Sequence, residues 1–582
     1  MRIYFFLLLI VFVHKISYAE IIRYNQEKNV HTNYGNVIGH LRTSIDGKNR
    51  YWAFPGIPYA KPPVGDLRFK NPVPPDKWKY NLYLRKYTPR CIQRNYIFEQ
   101  NPPIIGSEDC LYLNIYIPYS ANPNSSIPVM VNIPWGGFFA GGGDDGYFDP
   151  TYFMTHNIIV VTINYRLGIF GFLSTLDDNA PGNYALKDQV LSLQWVKNNI
   201  ANFGGDTNRI TIVGQSAGAA SSHLHMVSPS SKGLFSQAIS QSGTGLAIWA
   251  STQNEVQKTL TTGVATVMLC PNLDTKLMVD CLRKVSAETL LKNEDALKIF
   301  YRFPLSSWSL VIENKTDENP EPFLTKSVEE YLKAGEFQKV PWLTGIVNGE
   351  GLLIASSILT RTEERRDLQN SFNTTMKALL LVTNETLWNK IYDFYFKNTG
   401  VNFDNLTFVK AFIDVFSDRY FFYNLYQSLK LQLEQGHNSI YLYLFEFLAE
   451  HSYSSWISTE RNSSYSSFNH ISNQYYASHC DDLLFQFLSP ELFSYLKNPI
   501  DESVKKIWVD IWVNFAIYGK PNPKEHRILT PNWNPLSIND HNNLSKKLEY
   551  LKVSGNYLLE CVFDKAKGFY DSRMEFWNEA LK

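Results

Sequence analysis

The chain has 582 residues with 55 basic and 55 acidic side chains, so its formal net charge is zero; 44% of residues are apolar and 19% charged. Those proportions exclude a disordered chain, a coiled coil and a collagen-like repeat. Balanced charge also argues against a nucleic-acid partner, because phosphate binding needs a basic surface.

At the start of the chain, Met1-Arg2 precedes an apolar run over residues 3–13. Ser17 and Ala19 then put small residues three and one positions before a cut ahead of Glu20. This is the pattern of a cleaved secretory signal over residues 1–19, and the run is short for a bilayer span. Its removal takes away Arg2 and Lys15, leaving 53 basic against 55 acidic side chains. No later stretch reads as a membrane span, and residues 574–582 are amphipathic rather than a removable anchor tail. The expectation is a secreted, extracellular protein with no membrane anchor and one domain over residues 20–582. Six cysteines in an exported chain point to disulfides. Asn124, Asn314, Asn373, Asn384, Asn405, Asn462 and Asn543 each begin an Asn-X-Ser/Thr triplet, the acceptor pattern for glycosylation.

Residues 129–133, 158–164 and 210–213 read as buried strands, with β-branched side chains on both faces. Residues 187–199 read as a helix with Val190, Leu191, Leu193, Gln194 and Val196 on its inner side. Residues 441–447 form a later strand candidate. Strands alternating with helices predict an α/β fold with a parallel-rich sheet. Segments 295–330 and 450–475 are polar and rich in turn residues, and read as surface loops. His223 and His225 lie two apart on a predicted helix, face different ways, and read as structural rather than metal-ligating. No metal or cofactor is expected.

Residues 210–220 read Ile-Thr-Ile-Val-Gly-Gln-Ser-Ala-Gly-Ala-Ala. A β-branched strand running straight into Gly-X-Ser-X-Gly lifts Ser216 onto a tight strand-to-helix turn, where the two glycines leave room for crowded backbone. The Ala217 N–H and the helix N-terminus then face any developing oxyanion.

With Phe203-Gly204-Gly205-Asp206 ahead of it, this segment resembles the nucleophile signature of type-B carboxylesterases and cholinesterases. Residues 108–114, Glu-Asp-Cys-Leu-Tyr-Leu-Asn, resemble that family's second signature. Residues 56–60, 164–168 and 181–184 add further similar pieces in the same order, from about residue 25 to the end. The resemblance implies an α/β-hydrolase fold, a large mostly parallel sheet flanked by helices. It also implies hydrolysis of small-molecule carboxylic esters through a Ser-His-Glu triad and an acyl-enzyme. Glu350 matches the family's acid in the segment 345–351, with Gly349 in place of the usual aspartate. Of the six histidines after Glu350, only His479 sits in a stretch, 477–485, that resembles the His segment of insect carboxylesterases. His437, His451, His470, His526 and His541 read as surface or core residues. In these roles Ser216 attacks, His479 moves the proton and Glu350 holds the imidazole.

Aligning on Phe138 and Gly141 makes Gly136, Gly137 and Ala217 the oxyanion donors. It also sets Trp135 on the family's first glycine and Pro134 where many esterases carry histidine, so a bulky indole is expected beside the site. The resemblance pairs Cys91 with Cys110 and Cys270 with Cys281, and pairs Arg68 with Glu108 and Arg166 with Asp188. Cys480 and Cys561 stay unassigned, and a Cys480 nucleophile is the rival to Ser216. Cholinesterases hold their cationic substrate on a tryptophan where this chain has Gln100, and carry glutamate where it has Gln215. Both features are missing, which argues against an acetylcholinesterase. Gln215 resembles insect carboxylesterases, including those that hydrolyse juvenile hormone. The expected activity is therefore hydrolysis of uncharged carboxylic esters. The alternatives are a juvenile-hormone-type esterase or a catalytically silent cholinesterase-like binding protein.

Overall fold

The computed structural model describes residues 26–99, 101–122, 124–457, 475–537 and 544–582. The expected signal segment, Gln100, His470, His541 and the sequons at Asn462 and Asn543 lie outside the described residues. In chain order the strands are β1 (Glu27–Thr32), β2 (Gly35–Thr43), β3 (Arg50–Pro58), β4 (Leu82–Tyr83), β5 (Gln93–Arg94), β6 (Ile104–Ile105), β7 (Tyr112–Pro118) and β8 (Ile127–Ile133). After these come β9 (Ile159–Ile163), β10 (Gly205–Gln215), β11 (Gln237–Gln241), β12 (Trp342–Val347), β13 (Ile440–Phe445), β14 (Glu549–Asn556) and β15 (Glu560–Lys567).

Thirteen of these strands form one sheet in the order β1-β2-β3-β7-β9-β8-β10-β11-β12-β13-β14-β15, with β4 against β2. The stretch from β9 to β14 is parallel throughout. Antiparallel strands finish both edges. The sequence explains the parallel centre. β8, β9, β12 and β13 are buried at every position, as strands covered on both faces must be. Along β8, Val129, Val131 and Ile133 enter the core on one face and Met130 enters the core on the other. The helix Ala217–Val227 is buried along its whole length on the first face. On the second face lies the helix Pro499–Tyr518, whose Trp508 and Trp512 meet Tyr443 of β13.

The expectations change for four segments. The helix expected at 187–199 runs Tyr184–Asn199 and is mostly buried, with Leu191, Gln194 and Lys197 partly covered and Asn198 exposed. The strand expected at 441–447 is Ile440–Phe445. Residues 295–330 are mostly irregular and mix exposed positions with buried ones: Arg302, Phe303, Trp308, Glu313, Asn319 and Phe323 are buried. Around Glu313 the buried polar groups satisfy one another instead of water. Glu313 accepts from Lys187 Nζ (2.5 Å), Asn183 Nδ2 (2.6 Å) and Asn319 Nδ2 (3.0 Å), as buried polar groups require. In segment 450–475, the described Tyr453, Ser454 and Ile457 are likewise buried.

Candidate active site

Ser216 stands between the end of β10 and the helix Ala217–Val227, with φ 56° and ψ −120°. A non-glycine residue adopts that conformation only when its surroundings impose it. They do so here. A Cβ on Gly214 would come 2.1 Å from Gly218 C, one on Gly218 2.0 Å from Ile133 O, and one on Gly243 2.4 Å from Ser216 O. The turn is clamped by Ser216 N–H donating to Gln241 O (2.8 Å) and Ala220 N–H donating to Ser216 O (2.9 Å).

Glu350 lies on the loop after β12. Its Oε1 accepts from Val347 N–H (3.0 Å), and its Oε2 takes a short hydrogen bond from His479 Nδ1. Both residues are buried. Gly349 lets the two loops meet. Its N–H donates to Ala477 O (2.9 Å), while Ala477 N–H donates back to Asn348 Oδ1 (2.7 Å). A Cβ on Gly349 would lie 2.6 Å from Ala477 O, so the aspartate usual in the family has no room. Behind this loop, Gly351 N–H donates to Ser417 Oγ (2.8 Å). The π-helical turn Asp418–Phe422 follows Ser417 and sets Phe421 against the imidazole, with ring centroids 4.8 Å apart. Arg573 grips Asp418 at the start of that turn.

Ser216 Oγ and His479 Nε2 are not hydrogen-bonded to each other. Nε2 instead lies 3.2 Å from Gln215 Nε2, one residue before the serine. Gln215 Oε1 lies 3.1 Å from Cys480 Sγ. The next two residues carry buried carboxyls. Burial pushes Asp481 up to about 7 and raises Asp482. Asp482 Oδ2 accepts from Tyr443 OH (2.6 Å) and Gln241 Nε2 (3.0 Å).

Gly136 (φ 124°) and Gly137 (φ 59°) follow β8. Among the described residues the N–H groups of Gly136, Gly137 and Ala217 meet no acceptor. The loop is a closed turn in spite of Trp135, since Phe139 and Ala140 N–H both reach Gly136 O (3.0 and 2.9 Å). The indole is buried in an aromatic cage of Tyr147 (5.0 Å), Phe98 (6.0 Å), Phe148 (6.4 Å) and Tyr453 (6.4 Å).

Cys91–Cys110 and Cys270–Cys281 are disulfides with Cα–Cα distances of 4.9 and 5.7 Å. Cys480 and Cys561 are free. Burial pushes the Cys480 thiol well up, which weighs against it as the rival nucleophile. Arg68 is bidentate on Glu108 (2.6 and 2.5 Å) and Arg166 on Asp188 (2.8 and 2.7 Å). His223 and His225 are buried, and burial lowers both to about 3. His225 meets Ser231 (2.7 Å) and Gln189 (2.9 Å). Of the described sequons, Asn124, Asn314, Asn373 and Asn384 are exposed and Asn405 is half-buried. Among the described residues no helix is long and apolar enough to cross a membrane, and no group of His, Cys, Asp or Glu is arranged to hold a metal.

A parallel-centred sheet with a strained serine at the end of a central strand defines an α/β-hydrolase. Residues 26–577 match the sequence model described as "Carboxylesterase family", so the chain belongs to that family and is a carboxylic ester hydrolase acting on small-molecule esters. It is 42% identical to a juvenile hormone esterase of Tribolium castaneum, over 98% of this chain and 97% of the relative. It is 33% identical to venom carboxylesterase-6 of Apis mellifera, over 93% and 92%. The crystal structure of juvenile hormone esterase from Manduca sexta, with OTFP covalently attached, superposes with a TM-score of 0.78 at 26% identity, covering 96% of this chain and all of that one.

Proposed function

We propose that the protein is an exported serine esterase in which Ser216, His479 and Glu350 act as one relay. Ser216 Oγ attacks the ester carbonyl as His479 Nε2 takes its proton. The imidazolium then protonates the leaving alcohol, and water repeats the sequence on the acyl-enzyme. Glu350 keeps the proton of neutral His479 on Nδ1 and stabilises the imidazolium charge. Gly136, Gly137 and Ala217 N–H groups receive the oxyanion; losing one such donor costs roughly a hundredfold or more in rate. The observation that carries this reading is the buried Glu350–His479 pair beside the strained turn of Ser216. Two oxygens on one carboxyl, each already engaged, leave the imidazole one tautomer with a basic Nε2.

The chain enters the secretory route, loses residues 1–19 and carries glycans on most of its sequons, as one catalytic domain over residues 20–582. Glu20 as the N-terminus of protein collected from culture medium is the expected result. The catalytic test is a serine-directed organophosphate. Mass spectrometry is expected to find the adduct on Ser216, and Ser216→Ala is expected to lose aryl-ester turnover. Equal turnover by variant and parent removes the reading.

A narrower reading, a juvenile-hormone-type esterase, is favoured by the 42% identity to the Tribolium castaneum enzyme across nearly the whole chain and by Gln215 before the nucleophile. It predicts a higher kcat/KM on juvenile hormone than on short aryl esters; the reverse order leaves a general carboxylesterase.

A further inference from the structure

The amide of Gln215 lies between two side chains that are adjacent in sequence. Its Nε2 is 3.2 Å from His479 Nε2 and its Oε1 is 3.1 Å from Cys480 Sγ. The network fixes which end points where. His479 gives its Nδ1 proton to Glu350, so its Nε2 presents a lone pair, and only the NH2 end of Gln215 can meet a lone pair. Oε1 then needs a donor, and the Cys480 thiol is that donor. Burial, with Asp482, Glu350 and Asp481 nearby, keeps the thiol protonated. Cys480 is in the left-handed region, φ 78° and ψ −3°, so two successive side chains of one loop reach the two ends of one amide.

The lone pair that Gln215 occupies is the one that must accept the Ser216 proton. Removing the amide leaves that edge of the imidazole with no partner in a buried setting. Removing the thiol leaves Oε1 unpartnered and frees the amide to turn over. We propose that Gln215 and Cys480 are positioning residues: the thiol-braced amide holds the His479 imidazole beside Ser216 until the serine hydroxyl takes over its hydrogen bond. Only hydrogen bonds are exchanged, and no bond is made or broken. This inference rests on the triad reading above.

The test is a double-mutant cycle on aryl-ester turnover, with kcat and KM measured separately and thermal midpoints recorded for each variant. Cys480→Ala is expected to lower kcat by roughly three- to tenfold, the worth of one ordinary hydrogen bond, at unchanged KM. Cys480→Ser, which keeps a donor, is expected to recover most of the loss. Gln215→Met is expected to lower kcat similarly, and adding Cys480→Ala to it is expected to cost nothing more, because the two residues act through one amide. Additive losses, a serine variant no better than the alanine one, an effect in KM alone or no loss at all each overturn the inference. A parent whose Ser216 is not labelled by organophosphate sinks the triad reading and this inference together. A labelled parent with Cys480→Ala its equal sinks the inference alone.

Discussion

A missing side chain does most to bring the candidate catalytic residues together. Gly349 N–H donates to Ala477 O, Ala477 N–H returns a bond to the Asn348 side chain, and any Cβ on Gly349 meets Ala477 O and Tyr476 Cβ at 2.6 Å. Gly349→Ala is therefore expected to pry the Glu350 loop from the His479 loop and lower kcat by more than about tenfold with little change in KM, since small misplacements of a catalytic group cost that much. Steady-state kinetics on an aryl ester checks it, and a wild-type kcat refutes it. Ser216 is legible from sequence because the turn that carries it is local, and strand, glycines and helix lie within a dozen residues. Glu350 and His479 are 129 positions apart, and resemblance alone brings them into one reading. The amide–thiol contact of Gln215 and Cys480 spans 265 positions and leaves no pattern in the chain that could have pointed to it.

Among the elements, the π-helical turn Asp418–Phe422 links the C-terminal helix Asp571–Ala580 to the imidazole. Arg573 of that helix binds Asp418 (2.7 Å) and Asp414 (3.2 Å), and Asp418 also takes a short hydrogen bond from Tyr395. Arg573→Met leaves the buried Asp418 carboxylate and the half-buried Asp414 without their cation, and the loss at Asp418 costs up to about 3–5 kcal/mol. Denaturant unfolding is expected to register that loss, together with a lower kcat because Phe421 packs on His479. A variant as stable as the parent contradicts it. The same logic explains why residues 295–330 read as a surface loop. Glu313, Asn319 and Lys187 look solvated in sequence, and only the fold reveals that they are one another's solvent.

At the scale of the whole molecule, the sheet was foreseeable because fully buried strands such as β8 and β13 carry apolar residues at both parities. The edges were not, since β1, β4 and β15 have no such signature. Burying histidines without charge has a pH consequence. The fold lowers His225 from 6.5 to about 3 by burial. Below about 6.5 the unfolded chain binds a proton there that the folded chain refuses, so this contribution to stability is present above that pH and is lost as pH falls towards about 3. The stability gap between the parent and His225→Gln, which cannot titrate, is expected to narrow over that window in thermal melts; a constant gap contradicts the argument. A broader consequence follows from the backbone bridge between Gly349 and Ser478. It works as a clasp, so neither loop can drift while the other stays. Heating should therefore switch turnover off in a single cooperative step, with no long decline in which a half-assembled enzyme still works.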